Sequence, residues 1–129
     1  MKIYTSTVQG YKGPDKLDIT VKSGDQVFAP TWRMVREYKA GKLSEEDYRL
    51  EYLKLMRVSF WNNQDRWLEV LQMPEVTLVC YCPAKNGKLP FCHRYLLAEI
   101  LEAVAKHQGI EVEVCGERVQ VGTSRKEAA

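Results

Sequence analysis

Val76-Thr77-Leu78-Val79-Cys80-Tyr81-Cys82 is a run that, apart from Thr77, is continuously apolar, as expected of a central strand covered on both faces. After a loop at 83–91 the chain resumes with Cys92-His93-Arg94, which opens a helix carrying the stripe Leu96, Leu97, Ile100, Leu101 and Val104. That helix is expected to run to Gln108 and stop at Gly109. Ligands of open α/β sheets sit beyond the carboxyl ends of strands, and a helix start offers unpaired N–H groups with the positive end of a dipole. The strand-to-helix junction is therefore the candidate site.

Upstream, residues 2–8 are rich in β-branched and aromatic side chains and read as a first strand, with hydroxyls at Thr5, Ser6 and Thr7 on both of its faces. If it lies parallel to 76–82, its carboxyl end borders the same junction. Lys12-Gly13-Pro14-Asp15-Lys16 is turn chemistry, and the alternation over 17–22 predicts a second, short edge strand. Ser23-Gly24-Asp25-Gln26 breaks the chain again. Thr31 is the expected N-cap of a helix over 32–40 closed by Gly41, and Ser44-Glu45-Glu46-Asp47 resembles a capping box for the next helix. Tyr48, Tyr52, Leu55, Met56 and Ser59 recur along it at helical spacing. A further short helix is expected over 64–73, with Trp67, Leu68 and Leu71 inward, before Pro74. Residues 110–114 and 118–121 are β-like and separated by Cys115-Gly116-Glu117, which predicts a terminal strand or a hairpin.

Strand, helices, strand, helix, strand is the pattern of a three-layer α/β domain with a partly parallel sheet. With 129 residues, 45% of them hydrophobic, the chain has material for one core, so a single domain over 1–121 and a fraying tail over 122–129 are expected. The formal charge of +2 is too small to argue nucleic-acid binding in bulk. Locally, Trp32, Arg33, Arg36, Tyr38 and Lys39 form a basic, aromatic helix for which nucleic acid is one candidate partner, and helical amphipathicity explains the pattern as readily. No apolar run approaches the roughly 18 residues of a membrane span, and the polar start Met1-Lys2-Ile3-Tyr4-Thr5 lacks the core of a signal peptide. A cytoplasmic protein is expected.

Thr77-Leu78-Val79-Cys80-Tyr81, then Cys92-His93-Arg94 and Leu96-Leu97-Ala98-Glu99, resembles the hallmark of the domain-of-unknown-function 488 family, in which a strand ending in Leu-Cys-x-Glu precedes a helix starting Cys-His-Arg. The likeness extends to Phe28-Ala29-Pro30-Thr31 and to the helix around Ser44-Glu45-Glu46-Asp47-Tyr48. At the position of the family's frequent acidic residue this chain has Cys82. The resemblance implies a Rossmann-like fold and no particular reaction.

Three of the four cysteines, Cys80, Cys82 and Cys92, lie in this one unit, and Cys115 lies apart. The first reading of the cluster is an anion site for a nucleotide or sugar phosphate, with Arg94, Cys80 and Lys88 as binding residues and Lys85 adding charge in a stretch, 83–94, that has no acid. A catalytic extension assigns chemistry to Cys92 and His93, with Cys80 as an alternative nucleophile, because helix starts and cations favour thiolates. The Cys-x5-Arg loop of phosphatases is absent. A different class is a non-catalytic binding or regulatory module with a structural zinc held by Cys80, Cys82, Cys92 and His93. The plainest reading makes Cys80 a small buried hydrophobe, His93 a helix cap and Arg94 the partner of a surface acid.

Overall fold

Strand β1, Lys2–Thr7, and strand β3, Glu75–Cys80, pair in parallel with Ile3 beside Val76 and Thr7 beside Cys80. The computed structural model describes residues 1–81 and 91–118. Between these strands come β2 (Lys16–Asp18), α1 (Trp32–Lys39), α2 (Glu45–Asn62) and α3 (Gln64–Leu71); α4 (His93–His107) and β4 (Glu113–Glu117) follow β3. The sheet order is β2-β3-β1-β4, and every pairing is parallel. The expected α/β domain, with the first strand parallel to the apolar central one, is what these residues form.

Alternation along the strands divides the sheet into two faces. Ile3, Val76, Leu78 and Leu17 point to the side where Tyr52, Met56, Trp67, Leu97 and Leu101 from the helices close one hydrophobic cluster. Burial of each such side chain stabilises the fold by roughly 1.5–3 kcal/mol. The other face is covered by the β1–β2 connection and by Arg118. Thr77 Oγ1 donates to Asp15 Oδ2 at 2.8 Å, and the Arg118 guanidinium lies 3.7 Å over the Tyr4 ring. Helices, sheet and this connection make the three layers.

The helix boundaries follow the capping residues. Thr31 Oγ1 accepts from the Met34 amide at 3.1 Å, and Ser44 Oγ from the Asp47 amide at 3.0 Å, with Glu45, Glu46 and Asp47 set in the first turn of α2. In α3 the inward residues are Trp67, Val70 and Leu71, while Leu68, expected inside, is exposed. The i, i+3, i+4 spacing from Trp67 selects Val70 and turns Leu68 away.

Two strand expectations are corrected. β2 spans only Lys16–Asp18, because the Asp18 carboxylate accepts from the Thr20 amide at 2.9 Å and Thr20 Oγ1 accepts from the Ser23 amide, bending the chain out of the sheet. The Cys115-Gly116-Glu117 segment is not a turn but part of β4. Gly116, at φ 88°, absorbs a register shift that sets Ile3 beside Val114 and Tyr4 beside Gly116. Residues 119–121, counted in the expected hairpin, and the tail at 122–129 lie outside the described residues.

Candidate functional site

β3 delivers Cys80 as its last residue, next to Thr7 at the end of β1. Cys92 is the N-cap of α4, extended at φ −151° and ψ 145°, and its side chain makes no capping bond. A serine or aspartate there would turn back to the helix amides. The Cys92 sulfur instead meets that of Cys80, with Sγ to Sγ 2.6 Å. Both cysteines are buried.

His93, the first residue of α4, places Nε2 2.6 Å from the main-chain oxygen of Ile19. A carbonyl only accepts, so Nε2 carries the hydrogen and Nδ1 has a free lone pair. That lone pair faces Cys92 Sγ at 3.8 Å. Burial, the largest influence, holds His93 below the ordinary 6.5 and keeps the ring neutral. The tautomer and the charge state are therefore those of a proton acceptor toward Cys92.

Arg94 is fully buried, at 0% exposure. Its Nη1 donates to Cys80 Sγ at 2.8 Å, and Nη2 donates to Glu117 Oε1 at 2.8 Å and to the Tyr95 hydroxyl at 2.7 Å. Glu117 also accepts from Thr5 Oγ1 and from Tyr95. Burial alone would raise the Glu117 carboxyl, but the bonds from Arg94 and Thr5 outweigh it and hold the group below its usual range. Burial likewise works against the Arg94 charge, and the bond to Glu117 and the adjacent sulfurs more than offset it, raising the guanidinium above its ordinary value. Arg94 is thus an ion-pair partner that reaches the site through a sulfur.

Cys80, Cys92 and His93 line a cleft of about 300 Å³. Its walls include Pro30, Trp32, Tyr38, Tyr48, Tyr81 and Phe91, and its polar rim carries Lys22 and Lys39. Among the described residues no acidic side chain lines it. A larger groove of about 500 Å³ between α2 and α4 holds Trp61, Phe60 and Ile100, with Arg57, His107 and Gln108 among its polar members, but no thiol. The chemistry-bearing groups converge on the smaller space.

Residues 12–105 match the family DUF488-N3a, described as the active DUF488-N3 subclade. The chain belongs to this family. Searches of curated proteins and of solved structures found no significant match.

Of the residues singled out in the sequence, this DUF488-N3a protein brings Cys80, Cys92, His93 and Arg94 within one hydrogen-bonded cluster. Three of them line the cleft, and Arg94 is enclosed beside them. Cys82, Lys85 and Lys88 lie outside the described residues. Among the described residues no group of three or more His, Cys, Asp or Glu side chains is arranged to hold a metal ion. Cys115 is half-buried on β4. Arg33 of the basic helix is paired with Glu37 and Glu51. Trp67 belongs to the core, Trp32 is 50% exposed on the cleft wall, and Trp61 is 73% exposed. No described helix is long and apolar enough to cross a membrane.

The sequence reading missed Glu117, Lys22 and the Ile19 carbonyl. Glu117 is brought to Arg94 by the pairing of β4 with β1, which the sequence does not announce. A main-chain acceptor has no side-chain signature at all. Lys22 was legible only as the polar end of an expected strand.

Proposed function

We propose that the cleft binds a small anionic ligand and that Cys92 stands beside it as the nucleophilic thiol of the site, with His93 Nδ1 placed to take the thiol proton. The observation that carries this reading is the fixed His93 tautomer. The Ile19 carbonyl occupies Nε2 at 2.6 Å and leaves the acceptor nitrogen 3.8 Å from the Cys92 sulfur. The preference for an anion rests on Lys22 and Lys39 in a lining without acids, with the start of α4 beside them. Arg94 acts as a positioning residue, holding the Cys80 sulfur and locked in turn by Glu117. A nucleotide or a sugar phosphate remains the ligand class proposed, and Cys80 lines the floor beneath it.

The test is calorimetric titration of the reduced protein with nucleoside monophosphates, sugar phosphates and inorganic phosphate. Lys22→Ala and Lys39→Ala are expected to weaken binding of the preferred anion severalfold, and Cys92→Ser to retain binding. Failure of every anion to bind would remove the reading.

A further inference from the structure

We propose that Cys80 and Cys92 are a redox-active pair that forms a reversible intramolecular disulfide when a small disulfide reagent enters the cleft. The inference shares Cys92 with the proposed function but needs no anionic ligand.

The sulfurs stand 2.6 Å apart across a separation of only 12 residues. A disulfide bond of about 2.05 Å is reached by a further approach of roughly half an ångström. Cys92 is the N-cap of α4, extended rather than helical, and its sulfur is turned to Cys80 and not to the helix amides. Cys80 is anchored at the end of a buried strand with its backbone oxygen bound by the Val8 amide at 2.9 Å. One thiol thus ends a strand and the other opens a helix, and the two face each other. Both line the cleft, so a small reagent has access although each side chain is otherwise enclosed.

The steps balance. The Cys92 thiol gives its proton to His93 Nδ1, and its sulfur attacks one sulfur of the reagent RSSR. A Cys92–S–S–R bond forms, and RS⁻ leaves and takes a proton. The Cys80 sulfur, which faces Cys92 and receives the Arg94 Nη1 hydrogen bond, then attacks the Cys92 sulfur. The second RS⁻ departs and takes the proton that Cys80 gave up. Two protein S–H bonds become one S–S bond, and RSSR becomes two RSH, a transfer of two electrons. In the oxidised chain the nucleophile is consumed and thiol chemistry in the cleft stops.

The full chain, reduced and freed of reductant, is incubated with oxidised glutathione and mapped by alkylation, proteolysis and mass spectrometry. The expected product lacks two of the four thiols, has lost the mass of two hydrogens, and yields a Cys80–Cys92 cross-linked peptide that dithiothreitol dissolves. Cys82→Ser and Cys115→Ser are expected to give the same cross-link, and Cys80→Ser to stop at glutathione on Cys92. A cross-link that maps to Cys82 or Cys115, or four free thiols after prolonged excess of oxidised glutathione, would overturn the pair. Should Cys80→Ser fail to fold, the mapping of the wild-type chain still decides. Formation of the bond by a chain that binds no anion sinks the proposed ligand and keeps this inference, and anion binding without the bond does the reverse.

Discussion

His93 Nε2 donates to the carbonyl oxygen of Ile19, a residue 74 positions earlier in the chain, at 2.6 Å. The edge strand and the helix start are thereby joined by the ring that serves the site. The Ile19 amide donates in turn to the Val79 oxygen at 3.1 Å, so the acceptor is held by β3 itself. The imidazole orientation follows from sheet geometry and not from a neighbouring carboxylate.

That arrangement predicts an acid-side loss of stability. Burial lowers His93 in the folded chain from 6.5. Below about pH 6.5 the unfolded chain binds a proton that the folded chain does not, so stability falls as pH drops from there toward the folded value, by up to about 1.4 kcal/mol per unit. Glu117 is depressed from 4.5, and its contribution is lost at lower pH, as pH falls below that value. Urea unfolding of wild type and His93→Gln from about pH 7.5 to about pH 5.5 separates the two groups. Gln keeps a donor for Ile19 and does not titrate, so its profile should be flatter; parallel profiles would contradict the assignment.

Arg94 and Glu117 give a second expectation. Arg94→Ala removes both the donor to Cys80 and the partner of a partly buried carboxylate, and should destabilise by about 3 kcal/mol in urea unfolding. Glu117→Ala alone leaves a buried guanidinium and should be comparably harmful. The double variant is expected to lose clearly less than the sum of the two, because neither charge is then left without its counterpart. Additive losses would mean that the 2.8 Å pair is energetically idle.

How much of this was legible depends on which atoms carry the structure. The unbroken apolar run before Cys80, the stripe of Leu97 and Leu101, and the caps Thr31 and Ser44 are side-chain signals at helical or strand spacing, and they position the central strand and the helices. The convergence of Cys80, Cys92 and His93 was suggested by their crowding around one strand and one helix start. The direction of Arg94 was not legible. Whether a guanidinium at that position faces the cleft or the sheet depends on an acid at Glu117, whose place is set by a bulge at Gly116. The tautomer of His93 depends on a main-chain oxygen, which any residue at position 19 would supply.

Tyr52 supports the same region from the core. Its hydroxyl donates to the Phe28 carbonyl at 2.7 Å in a fully buried setting, and its ring meets that of His93 edge-on at 5.8 Å. Tyr52→Phe keeps the ring and leaves the carbonyl without this donor, so a loss of about 1–2 kcal/mol in urea unfolding is expected. An unchanged midpoint would contradict a stabilising role for this hydrogen bond.

Gly24 sits where the turn after β2 closes on itself. A Cβ there would lie 2.5 Å from both the Asp18 carbonyl oxygen and the Thr20 amide nitrogen, which are main-chain atoms that cannot rotate away. The same turn sets the Ile19 carbonyl against His93 and presents Lys22 to the cleft. Gly24→Ala should therefore destabilise by about 1–3 kcal/mol through forced backbone displacement, and should also shift the His93 ring resonances and their titration in nuclear magnetic resonance spectra. Gly41→Ala is the control. At φ 76° with open space around its Cβ position, it bears only a backbone penalty of about 1 kcal/mol. If both variants lose stability alike while His93 titrates as in wild type, the turn does not govern the imidazole, and the link from β2 to the nucleophile is broken.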